Sequence, residues 1–140
     1  MKILFYADNG NAAGDRLLQK IESQVSGDVI EAYRSLDEFK QGLLRQKQKP
    51  KAAILIAANA AELKRIISMG KLLTDMRILL VLPDRCKETV AAGYRLWPRY
   101  ISYADSDFED VAAVVRQILK LSRAGRQDKP DWKEVINESV

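Results

Sequence analysis

The sequence predicts an α/β protein built on one doubly wound parallel sheet, with helices on both faces. Two observations predict it. Short apolar runs alternate five times with segments of helical periodicity. The run Ala52-Ala53-Ile54-Leu55-Ile56-Ala57-Ala58-Asn59 is apolar at almost every place. Such a run has no polar face to show to water and reads as a strand buried on both sides at the sheet centre. In an open α/β sheet, chemistry sits beyond the carboxyl ends of the strands. Here that end is Ala57, Ala58 and Asn59, without a carboxylate, thiol or imidazole.

The elements follow in order. Ile3, Leu4, Phe5 and Tyr6 make a first buried strand over 2–7, and Asp8-Asn9-Gly10-Asn11 is a turn. A helix over about 12–25 places Leu17, Leu18, Ile21 and Val25 on one stripe, and Ser26-Gly27-Asp28 ends it. The run Val29 to Tyr33 is mixed in polarity, which suits an edge strand. Ser35-Leu36-Asp37-Glu38 has the spacing of a capping box. The helix it opens turns Leu36, Phe39, Leu43 and Leu44 inward and runs to about Gln48, before Pro50.

After the central strand, Asn59 is placed to cap a helix with Glu62 three residues on, and Leu63, Ile66 and Ile67 give it a buried face. Gly70 interrupts the helical stretch, and Leu72 and Leu73 add apolar surface beyond it. Met76 to Leu82 is the most strand-like run, stopped by Pro83, with Asp84 as cap of a fourth helix carrying Val90, Ala91 and Tyr94. Trp97-Pro98 marks a break, because proline pushes the residue before it out of the helical region. Arg99 to Tyr103 is the fifth strand. Ser106-Asp107-Phe108-Glu109 is a second capping box, opening a helix that buries Phe108, Val111, Ala112, Val115, Ile118 and Leu119 and ends at Gly125. Right-handed crossovers and a weak edge strand at Val29 to Tyr33 select the flavodoxin-like order 2-1-3-4-5. The expected organisation is one domain over 1–125 and a charged tail over 126–140. Trp132, Val135 and Ile136 of that tail can form one short amphipathic turn, which alone is too short to be stable in water.

Composition removes several classes of function. The 140 residues suffice for one sizeable core, and 47% hydrophobic content is ordinary for a soluble domain. No apolar run approaches the ~20 residues of a membrane span, and the opening Met1 to Asp8 reaches an acid too soon for a signal peptide. The expected location is the cytoplasm, with no membrane contact. A single cysteine, Cys86, leaves no internal disulfide and no cysteine-based zinc site. There is no histidine, hence no Ser-His or Cys-His pair and none of the commonest metal ligand. The net charge of +4 is mild, and only Arg45, Lys47, Lys49 and Lys51 cluster. Cations also suit the carboxyl end of a helix, so the cluster reads as a solvated helix end rather than a nucleic-acid site.

On element order, lengths and hydrophobic pattern, residues 1 to about 125 resemble the receiver domains of bacterial response regulators. The resemblance implies a phosphoacceptor aspartate ending the third strand, an acidic pair holding Mg²⁺ after the first, a Ser or Thr ending the fourth, and Lys-Pro ending the fifth. In this sequence those places hold Ala57 (Ala58 if the register slips by one), Ala7-Asp8, Leu82 before Pro83, and Tyr103-Ala104. Phosphoryl transfer needs a nucleophile and cations to offset the charge on the transferring group. The resemblance therefore implies a degenerate pseudo-receiver: no enzyme, no cofactor, no catalytic residue, and Asp8 alone left as a weak metal candidate.

Other chemistry reads no stronger. Asp8, Asp84, Asp105 and Asp107 all follow strand ends, but strands ~4.8 Å apart set Asp8 and Asp105 roughly 14 Å apart in the expected order. The stretch from Asp8 to Gly14 lacks the spacing of a phosphate loop. Cys86 falls at the expected first turn of the fourth helix, where a thiol pKa tends to drop. Tyr94, Trp97, Tyr100 and Tyr103 gather around the fourth helix and fifth strand, a composition that marks either a binding surface or a core. The expected function is a non-phosphorylatable signalling or scaffold module of two-component type. It would bind a protein partner, or itself as a homodimer, through the fourth helix, fifth strand and fifth helix. The alternative is a domain that binds a small anion or nucleotide at the strand carboxyl edge, where helix starts supply backbone donors.

Overall fold

A computed structural model describes residues 2–25, 29–46, 50 and 52–124. Five strands and five helices alternate: β1 (Ile3–Ala7), α1 (Ala12–Glu22), β2 (Ile30–Tyr33), α2 (Leu36–Arg45), β3 (Ala52–Ile56), α3 (Ala60–Ser68), β4 (Arg77–Leu82), α4 (Lys87–Tyr94), β5 (Tyr100–Tyr103) and α5 (Glu109–Ala124). The sheet is wholly parallel with order β2-β1-β3-β4-β5. This is the flavodoxin-like arrangement that the sequence predicts.

The strand period of two divides the core into two layers. Leu4, Tyr6, Ala53, Leu55, Ala57, Leu80 and Leu82 face one side, against Leu36 and Phe39 of α2 and Leu63 and Ile66 of α3. Ile3, Phe5, Ile54, Ile56, Leu79 and Val81 face the other, against Leu17 and Ile21 of α1 and Val111, Val115 and Ile118 of α5. Every residue of β1 and β3 is buried, as a two-sided strand requires. Two helices are drawn tightly to their neighbours by glycine. A Cβ on Gly14 of α1 would stand 2.3 Å from Ala7 Cβ, and one on Gly42 of α2 would stand 2.1 Å from Tyr33 Oη.

Several local expectations are corrected. Asn59 does cap α3, taking the Glu62 N–H at 2.9 Å, and Ser35 caps α2, taking the Glu38 N–H at 3.1 Å. The second capping box does not form. Ser106 Oγ accepts from Phe108 N at 2.9 Å and Asp107 Oδ1 from Glu109 N at 3.0 Å, while Glu109 pairs with Lys20 at 2.5 Å. Phe108 therefore precedes α5, with φ +66°, instead of opening it. Asp84 does not start α4; it accepts the Cys86 N–H at 2.9 Å in a turn, and extended Cys86 (ψ 144°) holds the cap position. Leu44 is 63% exposed, because Gly42 and Leu43 take the inward places of α2. The helical stretch after Gly70 is a single 3₁₀ turn, Gly70–Leu73. α2 ends at Arg45, and Lys47, Gln48, Lys49, Lys51, Gly125 and the tail 126–140 lie outside the described residues. Among the described residues no helix is long and apolar enough to cross a membrane.

Candidate functional site at the carboxyl edge of the sheet

The register brings the ends of β1, β3, β4 and β5 to one edge, with Ala7 beside Ile56, Ile56 beside Val81 and Leu82 beside Tyr103. Ala57, buried, stands at the end of β3 on the α2–α3 side of the sheet, the same side as Tyr6. Its backbone N–H is held by Val81 O at 3.0 Å. The methyl group of Ala57 can neither accept a phosphoryl group nor ligate a cation.

Beside it lies a carboxylate whose destination the sequence does not reveal. Glu62 of α3 is only 7% exposed. Its Oε2 accepts from the Tyr6 hydroxyl at 2.7 Å and its Oε1 from the Ala58 N–H at 2.8 Å. Capping-box spacing sends this side chain back to the Asn59 N–H; it reaches one residue further, to Ala58, and across to β1. A buried carboxylate needs strong donors for both oxygens, and these two supply them. Burial, the Glu62 hydrogen bond and charge, and the nearby charge of Asp8 push the Tyr6 phenol well above its ordinary pKa, so it remains a donor. The signal in the sequence is Tyr6 itself: a phenol inside a fully buried strand must find a partner for its hydroxyl.

The four aspartates behave separately. Asp8 is exposed after β1. Asp84 is bound to its own turn, which holds its carboxyl below the usual range through the Cys86 backbone N–H and Thr89. Asp105 pairs with Arg85 at 2.6 Å, and that contact lowers its pKa too. Asp107 caps its own loop. Among the described residues no three potential ligands gather to hold a metal ion. The Cys86 thiol is raised in pKa, not lowered: Asp84 accepts from it and adds a like charge.

The aromatic set divides in two. Tyr94 is 60% exposed and Trp97 89% exposed, at the carboxyl end of α4. Trp97 has left-handed backbone, φ +52°, an arrangement that costs of order 1 kcal/mol for a non-glycine residue. Pro98 disfavours right-handed helical backbone at this residue. Tyr100 and Tyr103 are half-buried in β5. Tyr103 lies under the Arg85 guanidinium, 4.3 Å from ring centroid to Cζ. Tyr100 Oη, Ser102 Oγ and Ser106 Oγ donate to the Asp110 carboxylate at 2.9, 3.0 and 3.2 Å, a polar cluster between β5 and α5. Above it, Arg16 of α1 reaches Ala104 O at 2.8 Å and Ser106 O at 3.2 Å and covers the Phe108 ring. The loop after β5 is thus fixed by its own chain, and two of the four aromatics serve the interior.

No protein-family model matches the sequence, and no curated protein matches it. Among solved structures the chain is similar to a response regulator protein from Burkholderia pseudomallei, whose crystal structure holds a phosphorylated aspartic acid, a calcium ion and citrate. The two agree with a TM-score of 0.61 and 14% identity, over 96% of this chain and 82% of that one. At that identity the likeness is one of fold, and the fold is that of a response-regulator receiver.

Proposed function

We propose that the chain is a receiver-like signalling or scaffold module that takes no phosphoryl group and acts by binding protein. One observation carries the reading. At the end of β3 the place of an acceptor is a buried alanine, and the donors around it, Ala58 N–H and Tyr6 Oη, already serve Glu62. At the end of β3, Ala57, Ala58 and Asn59 bring no nucleophile, and Arg85 at this edge is engaged by Asp105 rather than aimed at a transferring group. The surface left for function is the outer face of α4, β5 and α5. It carries exposed Tyr94 and Trp97 beside Arg95, residue types over-represented among binding hot spots. A cytoplasmic two-component pathway is the setting this reading implies.

The test is incubation of the pure protein with acetyl phosphate and Mg²⁺. No stable incorporation is expected; stoichiometric, acid-labile label would overturn the reading. A small anion or nucleotide at the same edge is supported less well. The edge is rich in carboxylates, and N–H groups of Gly14, Glu38, Glu62 and Glu109 near the helix starts are bonded to side chains of their own loops. A nucleotide that raised the melting temperature would reverse that preference.

A further inference from the structure

The sequence holds four asparagines, Asn9, Asn11, Asn59 and Asn137, and Asn9 alone is followed by glycine. Two of the others are engaged in the fold. Asn11 Oδ1 accepts the Gly14 N–H at 3.1 Å, and Asn59 Oδ1 accepts the Glu62 N–H at 2.9 Å. Each caps a helix and precedes an alanine, whose methyl group crowds the nitrogen between them.

Asn9 and Gly10 are placed differently. Both are exposed, at the tip of the turn that joins β1 to α1. The Asn11 N–H closes this turn on Asp8 O at 3.0 Å. Gly10 has φ +87° and Asn9 a negative φ, which makes the turn type II. The peptide between its two central residues takes no part in the closing bond. Among the described residues no hydrogen bond holds the Asn9 carboxamide or the Gly10 N–H. A Cβ on Gly10 would meet nothing within 4 Å, so the space around its backbone is open. Glycine also gives this peptide the freedom to rotate towards the side chain before it.

We propose that Asn9 is a self-modification site, converted to a carboxylate through attack by the Gly10 nitrogen on Asn9 Cγ. The new N–Cγ bond closes a five-membered imide. The Cγ–Nδ2 bond breaks, and ammonia leaves with the proton that the Gly10 nitrogen gives up. Water then opens the ring. Opening at Cγ leaves aspartate; opening at the backbone carbonyl leaves isoaspartate. Nothing is oxidised or reduced, and water is the only co-reactant. Either product adds a negative charge beside Asp8 at the carboxyl edge. The isoaspartyl product also lengthens the main chain between Asp8 and Asn11. The turn bond then no longer closes, and Asn11 loses its place as cap of α1.

The test is ageing of the full chain at mildly alkaline pH, where the attacking amide nitrogen loses its proton more readily. Ion exchange should resolve a growing species one charge more acidic. Peptide mapping should place the change at Asn9, with Asn11 and Asn59 intact, and isoaspartyl-specific methylation should label it. Asn9→Asp should co-elute with the aspartyl product, and Asn9→Ser should give no acidic species from this site. A synthetic peptide of residues 7–14 sets the rate without the fold, and the folded chain should keep pace with it. The isolated isoaspartyl form should melt below both the wild type and Asn9→Asp, because it alone lengthens the backbone. An Asn9 that stays intact in the folded chain while the peptide converts overturns the proposal, since the turn would then protect it. So does earlier conversion of Asn11 or Asn59. The acetyl phosphate experiment decides phosphoryl transfer separately.

Discussion

At the scale of single residues, the buried pair of Tyr6 and Glu62 has the most to lose. Replacing Glu62 with alanine strands the buried Tyr6 hydroxyl and also takes the acceptor from the N–H of exposed Ala58. An unsatisfied buried polar group costs about 1–3 kcal/mol, so Glu62→Ala is expected to lower unfolding stability by at least that much in urea titrations. Tyr6→Phe removes one donor and leaves Ala58 to serve the carboxylate, with a smaller loss expected. The double variant should cost clearly less than the sum, because the two side chains share one bond. Additive losses would show that the bond contributes nothing.

Asp110 gives a second residue-scale prediction. Burial raises its carboxyl pKa, but the hydrogen bonds from Tyr100, Ser102, the Val111 N–H and Ser106 outweigh burial and leave it lowered. A folded-state pKa below the unfolded one stabilises the fold above the unfolded value, and that contribution is lost as pH falls through the folded value. Stability of the wild type should therefore drop below about pH 4, where free carboxyls begin to protonate. Asp84 and Asp105 contribute in the same direction. The Asp110→Asn variant isolates the share of Asp110: its stability should fall less steeply over the same acid range, followed by thermal unfolding at each pH. Parallel curves would remove Asp110 from the account.

At the scale of elements, the sequence is most legible where a period repeats. All five strands, the central place of β3 and the edge place of β2 follow from apolar runs and their polarity. Non-local choices are less legible. Capping spacing identifies Asn59 and Glu62 but not which donor Glu62 takes, because the rival, Tyr6 on β1, is 56 residues away. The Tyr100–Ser102–Asp110 cluster is hidden likewise, since only the folded loop sets β5 against the first turn of α5. Stop signals also mislead when two lie close: Pro83 and Asp84 resemble a helix start, yet extended Cys86 delays α4 to Lys87. Helix packing supplies the element-scale prediction. Glycine in a helix interior is ordinarily worse than alanine by up to about 1 kcal/mol. At Gly14 the sign should reverse, because the added methyl would meet Ala7 Cβ at 2.3 Å and force α1 off β1. Gly14→Ala is expected to destabilise by about 1–3 kcal/mol, read from the denaturation midpoint, while Gly70→Ala, whose Cβ meets nothing within 4 Å, should not.

At the scale of the molecule, architecture and chemistry have separate requirements. The sheet needs β3 to be apolar and buried, and any small apolar residue at Ala57 meets that need. Phosphoryl transfer needs several places to be right at once: a nucleophile, a metal held by acids and a cation near the transferring oxygens. Supplying one of these alone should therefore give no transfer. Ala57→Asp puts a second carboxylate in a buried site whose nearest donors already serve Glu62. Two carboxylates there cannot both ionise cheaply, so one is expected to bind a proton and the fold to lose stability. At the neighbouring places Leu82 supplies no hydroxyl at the end of β4, and Tyr103 and Ala104 supply no ammonium at the end of β5. Ala57→Asp should thus melt below the wild type and still take no label from acetyl phosphate and Mg²⁺. Label on the single variant would mean that this edge retains the electrostatics of transfer and lacks only the acceptor, and the Tyr6–Glu62 pair would then be a replaceable plug in a working site.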